Sequence, residues 1–146
     1  MPPGTGADGR PGAVIAALQR ATHVTLHAVA ARLTDFGLTG SEQNVLAALD
    51  GGVVSTVGEL VTATGTRPST LTSVLDRLEQ KHLLVRDVDY QDRRSVLVSL
   101  TPTGQDAAAA VLAVTADIEQ SALVAVGKRQ LEGFFAVARA LAEVAP

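Results

Sequence analysis

The residues whose chemistry stands out are a cluster of hydroxyls and a charged triplet. Ser69, Thr70, Thr72 and Ser73 gather around Leu71, with Asp76 and Arg77 following. If the segment is helical, Leu71, Val74, Leu75 and Leu78 fall at i, i+3, i+4 and i+7 and form one apolar stripe. The hydroxyls, Asp76 and Arg77 then occupy the opposite arc. Short hydroxyl side chains let a helix backbone approach a groove floor and can bond to phosphates or base edges. A helix N-terminus adds free N–H groups and the positive end of its dipole. The polar outer face of any soluble helix explains the same pattern, so the neighbouring elements must decide. The triplet is Asp92-Arg93-Arg94. Two adjacent arginines on a protruding loop suit a narrow, electronegative minor groove, and Asp92 could pair with Arg94 and orient its guanidinium. A solvated charged turn is the plain alternative.

Other candidate chemistry is thin. His23 and His27 stand four apart, on one face if helical, with Arg20 nearby. A polar pocket wall that meets an anionic ligand, or plain surface, fits them better than a metal, because no cysteine or acidic cluster stands beside them. The chain has no cysteine at all, which removes disulfides, thiolate metal sites and thiol redox sensing. It has no Gly-rich phosphate loop and no nucleophile elbow, and its three histidines, His23, His27 and His82, form no recognisable catalytic arrangement. The expectation is a non-enzyme without cofactor or metal.

The elements that must carry these residues follow from period and punctuation. Val14 to Leu33 repeats apolar residues at helical spacing, and Phe36-Gly37 is placed to end that helix. Thr39-Gly40-Ser41-Glu42 and Thr56-Val57-Gly58-Glu59 are capping boxes. The first opens a helix to about Leu49, stopped by Asp50-Gly51-Gly52. The second opens a short helix to about Ala63. After the turn Thr64-Gly65-Thr66, a helix runs from about Arg67 to Lys81 with Pro68 in its first turn. The period then changes: Leu83–Val85 and Ser95–Leu100 are β-branched and apolar around the polar stretch 87–94, a hairpin. Thr101-Pro102 starts a helix to about Val126, Gly127 breaks it, and a last helix spans about Lys128 to Val144. The expected fold is therefore mainly α with a small β-hairpin wing (α+β). It divides into a disordered tail (1–12), an N-terminal helix (13–37), a winged helix-turn-helix (38–100) and C-terminal helices (101–146). The outer helices are apolar and far apart in sequence, so a second copy of the chain is their natural partner.

Composition sets the bounds. The chain has 146 residues, 47% hydrophobic but only 3% aromatic, so its core is built from Ala, Val and Leu. No run approaches the roughly 18 apolar residues of a membrane span, and the Gly- and Pro-rich start lacks a signal-peptide pattern. The expectation is a cytoplasmic protein. The net charge of −3 argues mildly against nucleic acid, but residues 66–94 carry six Lys/Arg against five Asp/Glu, while the remainder carries six against ten. Distribution matters more than total.

From Leu38 to Gly104 the chain resembles the MarR family of bacterial transcription regulators. The matching residues are Leu38-Thr39, Gln43, Val45-Leu46, Thr56 to Leu60, Ser69 to Thr72, Leu75 to Glu79, Lys81 and Leu83 to Arg86. They end with Asp92-Arg93-Arg94, Leu100-Thr101 and Gly104. The wing signature, Asp92-x-Arg94 followed after five residues by Leu100-Thr101, is intact. His82 departs from the family's usual Gly, and His can adopt a left-handed backbone. The resemblance implies a homodimeric, ligand-responsive repressor bound to double-stranded DNA at a pseudo-palindrome, with half-sites about 10–10.5 base pairs apart. By the same carry-over Arg67, Ser69, Thr70, Thr72 and Ser73 face the major groove and Arg77 reaches phosphate. Arg94 enters the minor groove, oriented by Asp92, with Arg93 beside it. A small aromatic or phenolic effector between dimerisation helices and DNA-binding lobes is also implied, with Arg20, His23 and His27 as candidate ligand-binding residues. The reading that competes is a winged-helix protein-interaction module without DNA binding.

Overall fold

The computed structural model describes residues 10–144. The tail expected over 1–12 lies outside the described residues for 1–9, and Gly12 (φ 77°) leads into α1 (Ala13–Arg32). Both capping boxes form as expected. Thr39 Oγ1 accepts from the Glu42 amide (3.3 Å), and Glu42 Oε2 accepts from the Thr39 amide (2.9 Å), starting α2 (Gly40–Ala48). Thr56 and Glu59 repeat the exchange at 3.2 and 2.7 Å, starting α3 (Val57–Thr64). Each box satisfies two amides that the first helical turn leaves without partners. Gly37 is left-handed as expected, but it closes a 3₁₀ turn, Thr34–Phe36, and not α1, which has already ended at Arg32.

Helix α4 (Pro68–Gln80) follows the turn after α3. Its four stripe residues, Leu71, Val74, Leu75 and Leu78, are fully buried and meet Leu46, Leu49 and Leu60 in an aliphatic core. The helix ends in a Schellman motif. His82 is left-handed (φ 59°), its amide donates to Glu79 O (2.9 Å), and the Leu83 amide donates to Leu78 O (3.0 Å). His82 thus supplies the backbone reversal that its sequence position demands.

The wing is part of a sheet larger than the expected hairpin. Strands β2 (Leu84–Val88) and β3 (Val96–Leu100) pair antiparallel from Leu84↔Leu100 to Val88↔Val96. A two-residue strand, β1 (Ser55–Thr56), adds to the free side of β3, giving the order β1-β3-β2. Two residues are too short to show alternation in the sequence. Because Thr56 both ends β1 and caps α3, the wing is hydrogen-bonded to the segment that starts the helix-turn-helix.

The base of the wing is clamped to α5 (Pro102–Ala122). Thr101 donates from its amide to Leu83 O (3.1 Å) and from its hydroxyl to His82 O (2.7 Å), while its Oγ1 accepts from the Gly104 amide (3.0 Å). Gly104 is there because nothing larger fits: a Cβ would stand 1.7 Å from Leu83 O.

The chain groups into two compact units, one ending at Thr115 and one beginning at Ala116. In the second, α5 ends at Ala122, four residues earlier than expected. Val124 and Val126 are weak helix formers, and the Val126 amide instead closes a turn onto Leu123 O (2.9 Å). The last helix, α6 (Lys128–Val144), matches its expected span, and none of its residues is buried. Phe134 and Phe135 are more than half exposed.

One buried charge ties the first unit together. Glu42 is wholly inaccessible, yet its carboxylate takes Arg77 Nε at 3.0 Å and Lys81 Nζ at 2.7 Å, besides the Thr39 amide. Lys81 also donates to Gly37 O (2.8 Å). Burial alone would raise the Glu42 pKa. The hydrogen bonds from Lys81, the Thr39 backbone and Arg77, with the charge of Lys81, outweigh it and hold the group below its ordinary value.

Two outcomes follow. Gly104→Ala is expected to destabilise the protein by about 3 kcal/mol, because the clash is with backbone that cannot rotate away; urea unfolding measures it, and an unchanged midpoint would refute the clamp. Glu42→Gln is expected to cost about 3 kcal/mol at neutral pH. Since the folded pKa is depressed, the stability from Glu42 is present above the unfolded value of about 4.3 and is lost as pH falls through the folded value. The gap between Glu42→Gln and the native chain should therefore narrow in urea melts taken below that range, and a gap independent of pH would contradict the ionised state.

Candidate nucleic-acid interface

Helix α4 presents its hydroxyl arc outward. Ser69, Thr70, Thr72 and Ser73 are all exposed, as are Arg67 and Arg77. Thr72 and Ser73 donate to the carbonyls of Pro68 (3.0 Å) and Ser69 (3.4 Å). Their lone pairs stay outward, available to a base amine. Ser69 and Thr70 have no side-chain partner among the described residues, so their hydroxyl hydrogens are available to phosphate or to a base acceptor. The N-terminus of α4 is chemically bare. Arg67 sits at the N-cap without a side-chain cap bond, Pro68 fills the first position, and no acidic residue lies in the first turn. Nothing there competes with an anion for the free amides.

The two acidic residues of α4 share one arginine of the wing. Arg86 on β2 bonds Asp76 Oδ1 at 2.7 Å and Glu79 Oε2 at 2.5 Å. That pairing, to Glu79 first and Asp76 second, holds the guanidinium above its ordinary pKa. It also ties β2 of the wing to α4.

At the wing tip the loop is shaped by two carboxylates acting on backbone. Asp89 Oδ1 accepts from the Gln91 amide (2.9 Å). Asp92 Oδ1 accepts from the Arg94 amide (3.1 Å) and its Oδ2 from the Ser95 hydroxyl (3.0 Å). The expected ion pair between Asp92 and the Arg94 guanidinium is not what forms. A carboxylate two residues back reaches the amide of an Asx turn more directly than the end of a long side chain. Arg93 and Arg94 are both exposed and carry no ion pair among the described residues. Tyr90, 97% exposed in the same loop, was not singled out by the sequence reading, although a lone aromatic in a polar loop is itself a signal.

The structure therefore brings most of the expected residues to one surface but divides their work. Arg67, Ser69, Thr70, Arg93 and Arg94 have no side-chain partner among the described residues, while Thr72 and Ser73 donate to backbone carbonyls and keep only their lone pairs free. Arg77 spends Nε on Glu42 and keeps 45% of its side chain exposed, so the rest of its fork remains available. Asp92 builds the loop. Glu42 and Lys81, which position α4, carried no such signal, because their partners lie 39 residues apart.

Arg20, His23 and His27 all lie exposed on α1. The two imidazoles meet edge to face with centroids 4.5 Å apart. Among the described residues no group of three or more His, Cys, Asp or Glu is placed to hold a metal ion, and no helix is long and apolar enough to cross a membrane. A separate cleft of about 280 Å³ between α1, α2 and α5 is lined by other residues, among them Gln43.

Comparison with known proteins agrees with this geometry. The model of the MarR family matches residues 36–95. The HTH-type transcriptional repressor MdtR of Bacillus subtilis is 38% identical over 68 residues, 47% of this chain and 44% of MdtR. The HTH-type transcriptional regulator SarZ of Staphylococcus epidermidis is 33% identical over 89 residues, 61% of this chain and 57% of SarZ. The chain thus spans about half the length of the curated relatives it matches. Among solved structures, Bordetella bronchiseptica BpsR, whose DNA binding is regulated by 6-hydroxynicotinic acid, superposes with a TM-score of 0.75 at 25% identity, covering 97% of this chain and 99% of BpsR. S. aureus MepR, solved as a DNA complex, gives a TM-score of 0.74 at 22% identity over 88% of this chain and 95% of its own. The architecture, the capped helix-turn-helix and the wing signature agree with these matches, and the winged-helix segment of this chain is similar to that of the MarR family over residues 36–95.

Proposed function

We propose that this protein is a sequence-specific DNA-binding transcriptional regulator that acts as a homodimer in the cytoplasm. One observation carries the reading. The exposed hydroxyl face of α4, with its uncapped N-terminus, stands on the same braced frame as two unpaired arginines at the wing tip. Ser69, Thr70, Thr72, Ser73 and Arg67 enter the major groove, and the free part of the Arg77 fork meets phosphate. Arg94 reaches the flanking minor groove with Arg93 on the backbone beside it. The names of the relatives, one of them a repressor, and the DNA complex of MepR support this reading.

A second copy of the chain supplies the two-fold axis. Helix α6 leaves Phe134, Phe135 and Val137 about half exposed, a poor surface for a lone chain and a suitable one for self-association. Two copies would place their α4 helices on successive half-sites about 10–10.5 base pairs apart. Repression follows from occupancy of such a site. The regulation of BpsR by 6-hydroxynicotinic acid supports a small-molecule response here too, in which an effector shifts the population away from the DNA-binding form.

Arg94→Ala tests the interface. Fluorescence anisotropy on operator DNA, selected from genomic fragments, should show binding at least about tenfold weaker at physiological salt, with the slope of log affinity against log salt less negative by about 0.9. Circular dichroism and dimer mass should not change. Equal affinities, or binding by the native protein that does not respond to salt, would contradict the reading and favour a protein-interaction module.

A further inference from the structure

Tyr90 is the most exposed large apolar side chain among the described residues, with 97% of it open to solvent. It is the chain's one tyrosine. Its ring covers no core, and its hydroxyl has no partner among the described residues. The loop that carries it is held from within. The Asp89 amide donates to Ser95 O (3.0 Å) and the Ser95 amide to Asp92 O (2.8 Å). The Asp89 and Asp92 carboxylates take the amides of Gln91 and Arg94. Tyr90 and Arg94 are therefore the first residues inside the closing pair, one on each arm. What Arg94 approaches, Tyr90 approaches beside it.

Charge alone does not hold this tip on a duplex. Residues 87–95 carry Asp87, Asp89 and Asp92 against Arg93 and Arg94, so the loop is formally negative. Bonds to backbone use the aspartates without discharging them. A neutral contact adds affinity without meeting that repulsion. A phenol offers one O–H donor for a phosphate oxygen and a flat ring for a sugar face, with only two side-chain torsions to freeze.

We propose that Tyr90 anchors the wing to the duplex backbone: its ring lies on a deoxyribose of the minor-groove wall and its hydroxyl donates to the adjoining phosphate, beside the groove that Arg94 enters. The proposal rests on the DNA-binding reading above and adds to it a contact without sequence preference. It is also distinct from the arginines in kind. A neutral donor displaces no counterion, so it changes affinity and leaves the salt dependence alone.

The test uses the full-length protein with the selected operator duplex and a random duplex of equal length. Anisotropy should show Tyr90→Phe weakening both by the same factor, about three- to tenfold, the worth of one hydrogen bond. Tyr90→Ala, which also removes the ring, should weaken both by about thirtyfold. The slope of log affinity against log salt should match the native slope in both variants, unlike that of Arg94→Ala. Incorporated 3-fluorotyrosine gives a single ¹⁹F resonance, which should move when either duplex is added. Native affinity in either variant, a loss confined to the operator, a flattened salt slope, or an unmoved resonance while the native protein binds would each overturn the proposal and leave the DNA-binding reading standing. A native protein that binds neither duplex would overturn both.

Discussion

A single carboxylate fixes helix α4. Glu42 is buried, and a buried charge survives only where its lost hydration is replaced bond for bond. Here the replacements come from three directions: the amide that starts its own helix, Arg77 in the last turn of α4 and Lys81 at its C-cap. The aliphatic stripe of Leu71, Val74, Leu75 and Leu78 holds α4 against the core but is non-directional, and aliphatic contacts alone would tolerate rotation and sliding. Two hydrogen bonds to one carboxylate, from residues one turn apart, do not. The angle at which the hydroxyl arc faces outward is thus set by an interaction along its own edge.

The same economy recurs across the frame. Acidic side chains near the outer face each hold a partner within the fold. Asp76 and Glu79 are taken up by Arg86, and Asp89 and Asp92 bond the backbone of their own loop. The arginines facing outward, Arg67, Arg93 and Arg94, are left without such partners. Rigidity of the frame follows from β1 and Thr101, which bond the wing to the start of α3 and to the first turn of α5.

Much of this was legible in the sequence where the signal is local. Thr39 with Glu42 and Thr56 with Glu59 announce their helices because a capping box is complete within four residues. The stripe on α4 and the change of period at Leu83 are equally local, and His82 was read correctly as a left-handed position. What escaped depends on partners distant in the chain. Glu42 reads as a helix cap, and nothing near it shows that Arg77 and Lys81 complete its shell. Strand β1 is too short to carry a pattern. Asp92 was expected to hold the Arg94 side chain and holds its amide instead, a choice made by loop geometry. Arg20, His23 and His27 were expected from residue type alone, and they lie exposed on α1.

In the proposed function the outer face of α4 and the wing tip form one duplex-binding surface. The most direct measurement is a two-dimensional amide NMR titration with a duplex of about 20 base pairs at low salt. Shift changes should concentrate at residues 67–73 and 91–95 together and recede as salt is raised. Changes that fall elsewhere on the chain, or in only one of the two segments, would contradict it.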